Sequence, residues 1–220
     1  MTHGISKPES AGLKSRLDLQ CAEETQMLPN SNKFYIPDTA LTGCVREFTE
    51  TFNARGITVV LAGGAARDLW HFNPPRDLDL WVLGDVSPEE VSDVLYSIPS
   101  IGDVGLYLNS GDSQVDRGDL DAVFKVKRFG FNVDVILHKQ KPVSLRSLVG
   151  TFDMSINNAW LDVSEVYNVV CTAPGYPSIS DGQPVVLNYA KSCTWGRVQY
   201  IKSKHPGYWF KIQEDECAAA

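Results

Sequence analysis

The sequence lacks the features that would place the chain in a membrane, in a secretory pathway or around a structural zinc ion. No apolar run approaches the ~20 residues that a transmembrane helix needs, and residues 1–20 lack a hydrophobic signal core. The five cysteines are scattered, and no two of them form a Cys-x-x-Cys pair. These absences predict a cytoplasmic protein that has free thiols, no membrane partner and no zinc site.

An excess of positive charge is also missing, since the net charge of the 220 residues is -7. A surface that coats nucleic acid is therefore excluded, and any contact with a polynucleotide has to be local. The length and the ordinary apolar fraction predict one large domain, or a core with a small appendage. The sequence has no internal repeat and carries no signal for an oligomeric state.

Periodic apolar residues predict helices and strands after a polar N-terminal arm. Residues 1–32 are polar without a sustained period and are predicted to be mobile. Helical spacing predicts an amphipathic helix from residue 41 to about residue 55, and Ser87 with Glu90 forms a capping box before a second helix. The remaining pattern predicts short helices at 65–70 and 144–149, and strands at 57–62, 78–83, 121–127 and 131–138, the last two as a hairpin.

The most informative segment of the chain runs from residue 61 to residue 82. Gly63 and Gly64 end an apolar strand, and glycine lets a backbone approach a phosphate closely. Asp77 and Asp79 open the next strand, on which residues two apart point to the same face. Because adjacent carboxylates repel each other unless a proton or a cation lies between them, a hard divalent ion, most simply Mg²⁺, is predicted here. A metal ion beside a phosphate site indicates a nucleotide substrate.

A third carboxylate, Asp134, lies on a later predicted strand. Alternate apolar residues from Phe131 to Leu137 take the opposite face of that strand. If this strand adjoins Asp77 and Asp79, three carboxylates come together and can hold two metal ions, one for an attacking hydroxyl group and one for a triphosphate. On a strand elsewhere, Asp134 would be a solvated residue.

Two ordered motifs carry a resemblance to a known family. The first is Gly63-Gly64-x-x-Arg67-Asp68, followed by Pro74-Pro75-Arg76-Asp77-Leu78-Asp79. The second is Phe152-Asp153-Met154-Ser155-Ile156-Asn157-Asn158-Ala159. Together they resemble the head domain of the bacterial poly(A) polymerases and tRNA CCA-adding enzymes, in the polymerase-beta-like nucleotidyltransferase superfamily. The resemblance covers about residues 59–159, a little under half of the chain.

The resemblance implies an α+β fold, with a mixed sheet flanked by helices in a head domain at residues 33–165 and a small C-terminal extension at 166–220. It implies transfer of a nucleoside monophosphate from an NTP, ATP or CTP, with paired Mg²⁺ ions. The implied nucleotide-binding residues are Gly63 and Gly64, which would hold the triphosphate, Arg67, and Asp153 and Asn157, which would shape the nucleotide pocket. The implied metal ligands are Asp77 and Asp79, and Asp134 would join them. Arg67 has three open roles: phosphate contact, bracing of the loop, or pairing with Asp68 or Asp77.

The chain also departs from that family. Phe152 stands where the family has Arg, and no Glu-Asp-x-x-Arg segment, which reads the base in the CCA-adding enzymes, follows Ala159. The rest of the chain is too short for the family's helical neck, body and tail. Addition of a CCA triplet to tRNA is therefore not predicted.

A basic and aromatic segment occupies residues 187–211. It contains five Lys or Arg residues and six aromatic residues, and no acidic residue. Such a segment can track phosphates and stack bases, so we predict that an RNA acceptor contacts Lys191, Arg197 and Lys204. The alternative is a packed lid whose aromatic rings lie inside the protein.

The leading hypothesis is a nucleotidyltransferase that acts on an RNA 3′ end. A second hypothesis is a toxin-like or regulatory transferase that modifies a protein or small molecule, which the compact size and acidic charge favour. A third is a catalytically silent nucleotide-binding module, which the intact carboxylates disfavour. Small-molecule antibiotic transferases of the superfamily usually carry Gly-Ser in place of Gly63-Gly64, so the glycine pair favours the RNA branch.

Overall fold

A computed structural model describes residues 32–99, 101–108, 119–163, 166–187 and 195–212. The strands in this part of the chain are β1 (Asn32–Ile36), β2 (Thr58–Ala62), β3 (Asp77–Leu83), β4 (Gly105–Leu108), β5 (Leu120–Arg128), β6 (Phe131–His138), β7 (Ala159–Val163), β8 (Asn168–Thr172), β9 (Val185–Leu187) and β10 (Phe210–Ile212). The first eight form one mixed sheet in the order β1-β8-β7-β2-β3-β6-β5-β4. β9 and β10 form a separate parallel pair.

Three of the α-helices in the described residues begin with a capping box. The helices of this part of the chain are α1 (Ala40–Asn53), α2 (Gly64–Trp70), α3 (Pro88–Ser97), α4 (Leu145–Val149), a 3₁₀ helix (Ser155–Asn157) and α5 (Trp195–Lys204). At α3 the Ser87 side chain accepts a hydrogen bond from the Glu90 amide, and the Glu90 carboxylate accepts one from the Ser87 amide, which confirms the predicted capping box. None of these helices has the length and apolar content needed to cross a membrane.

One face of the sheet packs against α1 and α3. Leu78, Leu80 and Val82 alternate along β3 and are buried on this face, because residues two apart on a strand share a side. They join the apolar side chains of both helices in the largest core cluster. The apolar residues whose spacing predicts α1 and those whose alternation predicts β3 therefore pack against each other in one core.

The residues that the structure describes cover the opposite face of the sheet only in part. Trp81 and Leu83 pack there with α4 and Phe152. Asp77 and Asp79, earlier on the same strand, are only partly buried on this face. The first half of β3 therefore presents carboxylates on a polar and accessible stretch of the sheet.

A third cluster joins the C-terminal segment to the head. It contains buried residues of α2, the 3₁₀ helix, β9 and α5, among them Ala66, Ile156, Val185 and Ile201. α5 therefore shares a core cluster with α2, the helix that begins at Gly64.

The predicted mixed α+β sheet with flanking helices is confirmed. The hairpin of β5 and β6 is confirmed too, with Phe129 and Gly130 at positive φ in its two-residue turn, as a tight hairpin requires. Sequence patterns did not predict β1, β4 or β7–β10, whose strands are only three to five residues long. β8 pairs with β7 in the main sheet, so the predicted boundary between residues 165 and 166 falls within this sheet. The predicted arm lies outside the described residues, except that Asn32 begins β1.

Candidate active site

The register of β3 and β6 places the three predicted carboxylates side by side. Asp79 and Asp134 are partners in this parallel strand pair, and Asp77 stands opposite Asn132. Partners on adjacent strands point to the same face, and the three aspartates are all partly buried. The strand of Asp134 therefore adjoins the strand of Asp77 and Asp79, as three carboxylates at one site require.

Cations of the chain contact two of these carboxylates. The Lys125 Nζ lies 2.5 Å from Asp134 Oδ2. The Arg76 Nε donates to Asp77 Oδ2 at 2.7 Å, and the Asn132 Nδ2 donates to Asp77 Oδ1 at 3.2 Å. Partial burial raises the pKa of Asp77, but the hydrogen bonds from Arg76 and Asn132 outweigh burial, so this pKa lies below its usual range. Asp77 is therefore ionised at neutral pH.

The predicted metal site is not assembled in the described part of the chain, where no group of three or more His, Cys, Asp or Glu side chains is arranged to hold a metal ion. One oxygen of Asp77 faces Arg76, and one oxygen of Asp134 faces Lys125. The donor set itself fits Mg²⁺, since it consists of carboxylate oxygens on one face of adjacent strands.

The loop between β2 and α2 lies next to Asp79. Gly63 has φ 82 and ψ -131, a backbone conformation that side chains disfavour. Gly64 is the first residue of α2, and a Cβ added there would lie 3.8 Å from Asp79 Oδ2 and 3.7 Å from Arg67 Nη2. Of these two residues, only Gly63 has a backbone conformation that requires glycine. At Gly64, the absence of a side chain leaves space beside Asp79.

Trp81 and Phe152 form an aromatic wall beside this loop. Their ring centroids are 5.4 Å apart, and a Cβ added to Gly63 would lie 3.6 Å from Phe152 Cζ and 3.9 Å from Trp81 Nε1. The indole nitrogen is buried and has no hydrogen-bond partner among the described residues. Sequence reasoning missed this donor, although Trp81 follows Asp79 at the spacing of residues that share a face.

The other predicted nucleotide-binding residues form a buried hydrogen-bonded network. Arg67 donates to Asp68 Oδ1 through Nε at 2.9 Å and Nη2 at 2.8 Å, and through Nη1 to Asn157 Oδ1 at 2.8 Å. Asn157 in turn donates to Asp153 Oδ1 at 3.2 Å. These four residues are buried. Arg67 therefore pairs with Asp68 and braces the segment that contains Asn157, and these are two of the roles that the sequence leaves open.

Solved structures share this architecture, whereas no protein-family model and no curated protein matches the sequence. A Thermotoga maritima CCA-adding enzyme complexed with tRNA_CCA superposes with a TM-score of 0.54 and 16% identity, over 81% of this chain and 40% of that one. An apo CCA-adding enzyme superposes with a TM-score of 0.54 and 14% identity, over 81% of this chain and 41% of that one. An apo tRNA-processing enzyme superposes with a TM-score of 0.50 and 16% identity, over 71% of this chain and 38% of that one.

The chain has the nucleotidyltransferase fold. At this level the predicted resemblance is confirmed. The chain spans about two fifths of the length of the enzymes that it matches.

In this nucleotidyltransferase fold, α5 is tied to the buried network by two cations. The Arg197 Nε lies 2.9 Å from Asp153 Oδ2, close enough for an ion pair although this oxygen has no aligned hydrogen bond among the described residues. Lys204 forms an ion pair with Asp68. Two of the three predicted acceptor-binding cations thus face carboxylates of the head, and the third, Lys191, lies outside the described residues.

The five aromatic rings of the C-terminal segment that lie within the described residues, which leave out Tyr189, divide into two groups. The rings of Trp195, Tyr200 and Trp209 are at least half exposed, whereas Tyr208 and Phe210 pack partly against the third core cluster. The alternative of a lid with all its aromatic rings inside therefore does not describe this segment. Arg197 and Lys204 contact carboxylates of the head, whereas part of the aromatic surface of the segment is exposed.

A histidine cluster lies behind the buried network. The rings of His71 and His205 are 4.5 Å apart, and the His205 Nε2 lies 4.0 Å from Asp68 Oδ1. Burial, together with His71 and Arg67, lowers the pKa of His205 to about 4. Burial also lowers the pKa of His71. The Tyr176 hydroxyl donates to Ile156 O at 2.9 Å and lies 3.5 Å from His71 Nε2. These contacts with His205 and Tyr176 give His71 a structural role.

His138 is structural as well. It is buried on the sheet, and its Nδ1 accepts a hydrogen bond from the Gln140 amide at 3.0 Å. Burial lowers the pKa of His138, which keeps the ring neutral at pH 7.

Proposed function

We propose that the chain is a Mg²⁺-dependent nucleotidyltransferase that moves a nucleoside monophosphate from an NTP, ATP or CTP, to an RNA 3′ hydroxyl group. One observation carries the proposal: Asp79 and Asp134 are neighbours on adjacent strands, on a face shared with Asp77 and beside the Gly63–Gly64 loop. A site that combines carboxylates with space for a phosphate suits phosphoryl-group chemistry.

The reaction forms one bond and breaks one bond. The acceptor hydroxyl oxygen attacks the α-phosphorus of the NTP, the bond from that phosphorus to the oxygen bridging to the β-phosphate breaks, and pyrophosphate leaves. The Asp134 carboxylate, which lies on the open face, would accept the hydroxyl proton and pass it to water. Asp77, Asp79 and Asp134 would hold Mg²⁺, which neutralises the triphosphate charge when bound.

Four parts of the site would position the nucleotide. Gly63 and Gly64 leave room for the triphosphate beside Asp79. The buried Trp81 indole N–H, which has no hydrogen-bond partner among the described residues, would donate to a ligand oxygen that enters beside this loop. Asp153 and Asn157 shape the nucleotide pocket through the network that Arg67 braces. Phe152, against Trp81, adds an apolar wall.

The acceptor would pass over α5. The tRNA bound by the Thermotoga maritima enzyme supports RNA as the acceptor class. Because Arg197 and Lys204 contact Asp153 and Asp68, RNA phosphates compete with these carboxylates for the two cations. The exposed Trp195 and Tyr200 on the same helix offer surfaces for base stacking. The uncrosslinked Cys44 and Cys171 support a cytoplasmic setting.

A second candidate function is nucleotide transfer to a protein or a small molecule. The net charge of -7 favours it, because an acidic surface suits a long polynucleotide poorly. It uses the same carboxylates and donor nucleotide, and it differs only in the acceptor.

The test is incubation with each labelled NTP and Mg²⁺ in the presence of total RNA or of an RNase-treated lysate. We expect label on RNA with the wild type and none with Asp79→Asn. Label on protein or on a small molecule in the RNase-treated lysate supports the second function. Absence of label from RNA, protein and small molecules alike, with a folded wild-type protein and every NTP, contradicts both transferase functions and supports a catalytically silent nucleotide-binding module.

A further inference from the structure

Lys125 belongs to the candidate site but has no role in the proposed chemistry. It lies on β5 as the register partner of Asp134, and Asp134 is in turn the partner of Asp79 on β3. Lys125, Asp134 and Asp79 therefore form one row across three adjacent strands, on one face of the sheet.

This row sets a cation beside two neighbouring carboxylates. Like charges on paired strand positions destabilise a sheet, and the Lys125 ammonium offsets that repulsion from 2.5 Å away from Asp134 Oδ2. The side chain of Asp134 is only 17% exposed, so its carboxylate depends more on a charged partner than a solvated carboxylate does. The side chain of Lys125 is 50% exposed. The charge of Lys125 also reaches Asp77 and favours its ionised form.

We propose that Lys125 is the resident counter-ion of Asp134 and that a divalent ion gains this carboxylate only by displacing the ammonium group. The inference rests on the proposed function, because it assumes that Asp134 is a metal ligand during the reaction. It makes Lys125 a positioning residue that lowers the affinity of the nucleotide-free protein for the metal.

The displaced ammonium group has a new partner when the metal arrives with a nucleotide. The lysine side chain is a flexible four-carbon stem, and the triphosphate brings several anionic oxygens to the face that Lys125 occupies. Metal and nucleotide binding therefore strengthen each other through Lys125. By linkage, the factor by which nucleotide strengthens metal binding equals the factor by which metal strengthens nucleotide binding.

A purely structural ion pair predicts a different outcome. A pair whose cation is half exposed contributes little to stability, and its removal would leave metal affinity unchanged. Lys127 provides a matched control, because it lies two residues further along β5, on the same face, opposite Asn132 and not opposite a carboxylate.

The experiment measures Mn²⁺ binding to the full chain by the electron paramagnetic resonance signal of free Mn²⁺. It compares the wild type with K125M, K125R and K127M, without nucleotide and with α,β-methylene ATP. Without nucleotide, we expect K125M to bind Mn²⁺ roughly five- to tenfold more tightly than the wild type. We expect K127M to change the affinity less than about twofold, since screening weakens distant surface charges, and K125R to match the wild type. The strengthening of Mn²⁺ binding by the nucleotide analogue should be smaller in K125M.

The outcomes separate this inference from the proposed function. If Mn²⁺ binds the wild type and is lost in Asp79→Asn, but K125M and K127M behave alike, the role of Lys125 is overturned and the proposed site stands. If the wild type binds no Mn²⁺ even with the analogue, both are overturned. Thermal unfolding checks that each variant is folded, and K125Q repeats the comparison with a polar side chain if K125M does not fold.

Discussion

Two groups of acidic residues in this molecule differ in the way that their charge is compensated. On the open sheet face, the side chains of Asp77 and Asp134 are 27% and 17% exposed, and each pairs with a flexible cation. In the buried network, the side chains of Asp68 and Asp153 are 5% and 7% exposed. Asp68 contacts both Arg67 and Lys204.

This difference indicates which carboxylates can change partners. A half-exposed ion pair on a flexible side chain is worth little and exchanges readily, as binding of a metal ion and a nucleotide requires. Removal of one partner from a buried pair leaves an uncompensated charge in the interior. The open face is therefore suited to ligand binding, and the buried network is suited to holding α2, the 3₁₀ helix and α5 together.

The largest effect is expected on the open face. Asp79→Asn should reduce nucleotide transfer roughly ten-thousandfold, equivalent to about 5 kcal/mol, because it removes an anionic ligand from the proposed metal site. Folding should survive, since the substitution also relieves repulsion from Asp134. Transfer assays and urea unfolding measure the two effects, with the exposed Asp85→Asn as the control. Near-normal turnover by Asp79→Asn would contradict the assignment of Asp79 as a metal ligand.

The buried network should respond in the opposite way, through stability. Asp68→Asn leaves Arg67 and Lys204 without their carboxylate, and we expect a loss of about 3–5 kcal/mol in the free energy of unfolding. Asp134→Asn removes the pair with half-exposed Lys125 and should cost less than about 1 kcal/mol. Equal losses in urea unfolding would show that the two groups do not differ in the proposed way.

The pH dependence of stability tests the buried side of the comparison at His205. The pKa of His205 is lowered from its ordinary 6.5 to about 4 in the folded protein, so the unfolded chain takes up the proton first. The contribution to stability is complete above pH 6.5 and is lost as the pH falls toward 4. The groups around this ring are His71, Arg67, Asp68 and Lys204. Between pH 7.5 and pH 5, we expect a loss of about 2 kcal/mol from His205.

Urea unfolding of the wild type and His205→Gln at both pH values measures this contribution. The variant should show a smaller loss of stability between pH 7.5 and pH 5, and the part that stays includes His71, whose pKa is also lowered by burial. An identical pH dependence of wild type and variant would show that His205 titrates normally in the folded protein.

The smallest effects separate the two glycines. Gly63→Ala should cost about 1–2 kcal/mol, since φ is 82 at this position. Gly64→Ala should leave stability nearly unchanged, because the added Cβ meets Arg67 and Asp79 only at ordinary contact distances. Its methyl group should instead weaken NTP binding, which calorimetry measures. An unchanged NTP affinity in folded Gly64→Ala would place the triphosphate elsewhere.

Local patterns predicted the long and amphipathic elements of this fold well. The alternation along Asp77–Leu83, the helical spacing of α1 and the capping box of α3 each depend on residues close in sequence, so their physics is readable from a short window. β8 was not predicted because all five of its residues are buried, and a strand covered on both faces loses its alternation.

The sequence by itself determined that Asp77 and Asp79 share a face, that Gly63 ends a strand and that Phe131–His138 carries Asp134, because strand geometry fixes these relations. Only the tertiary structure decided that Asp134 lies beside Asp79, that Lys125 faces it, and that Arg197 and Lys204 turn inward to Asp153 and Asp68. These contacts join residues up to 136 positions apart. The spacing of residues along the chain sets which side of an element they share, and strand order and helix packing set which elements meet.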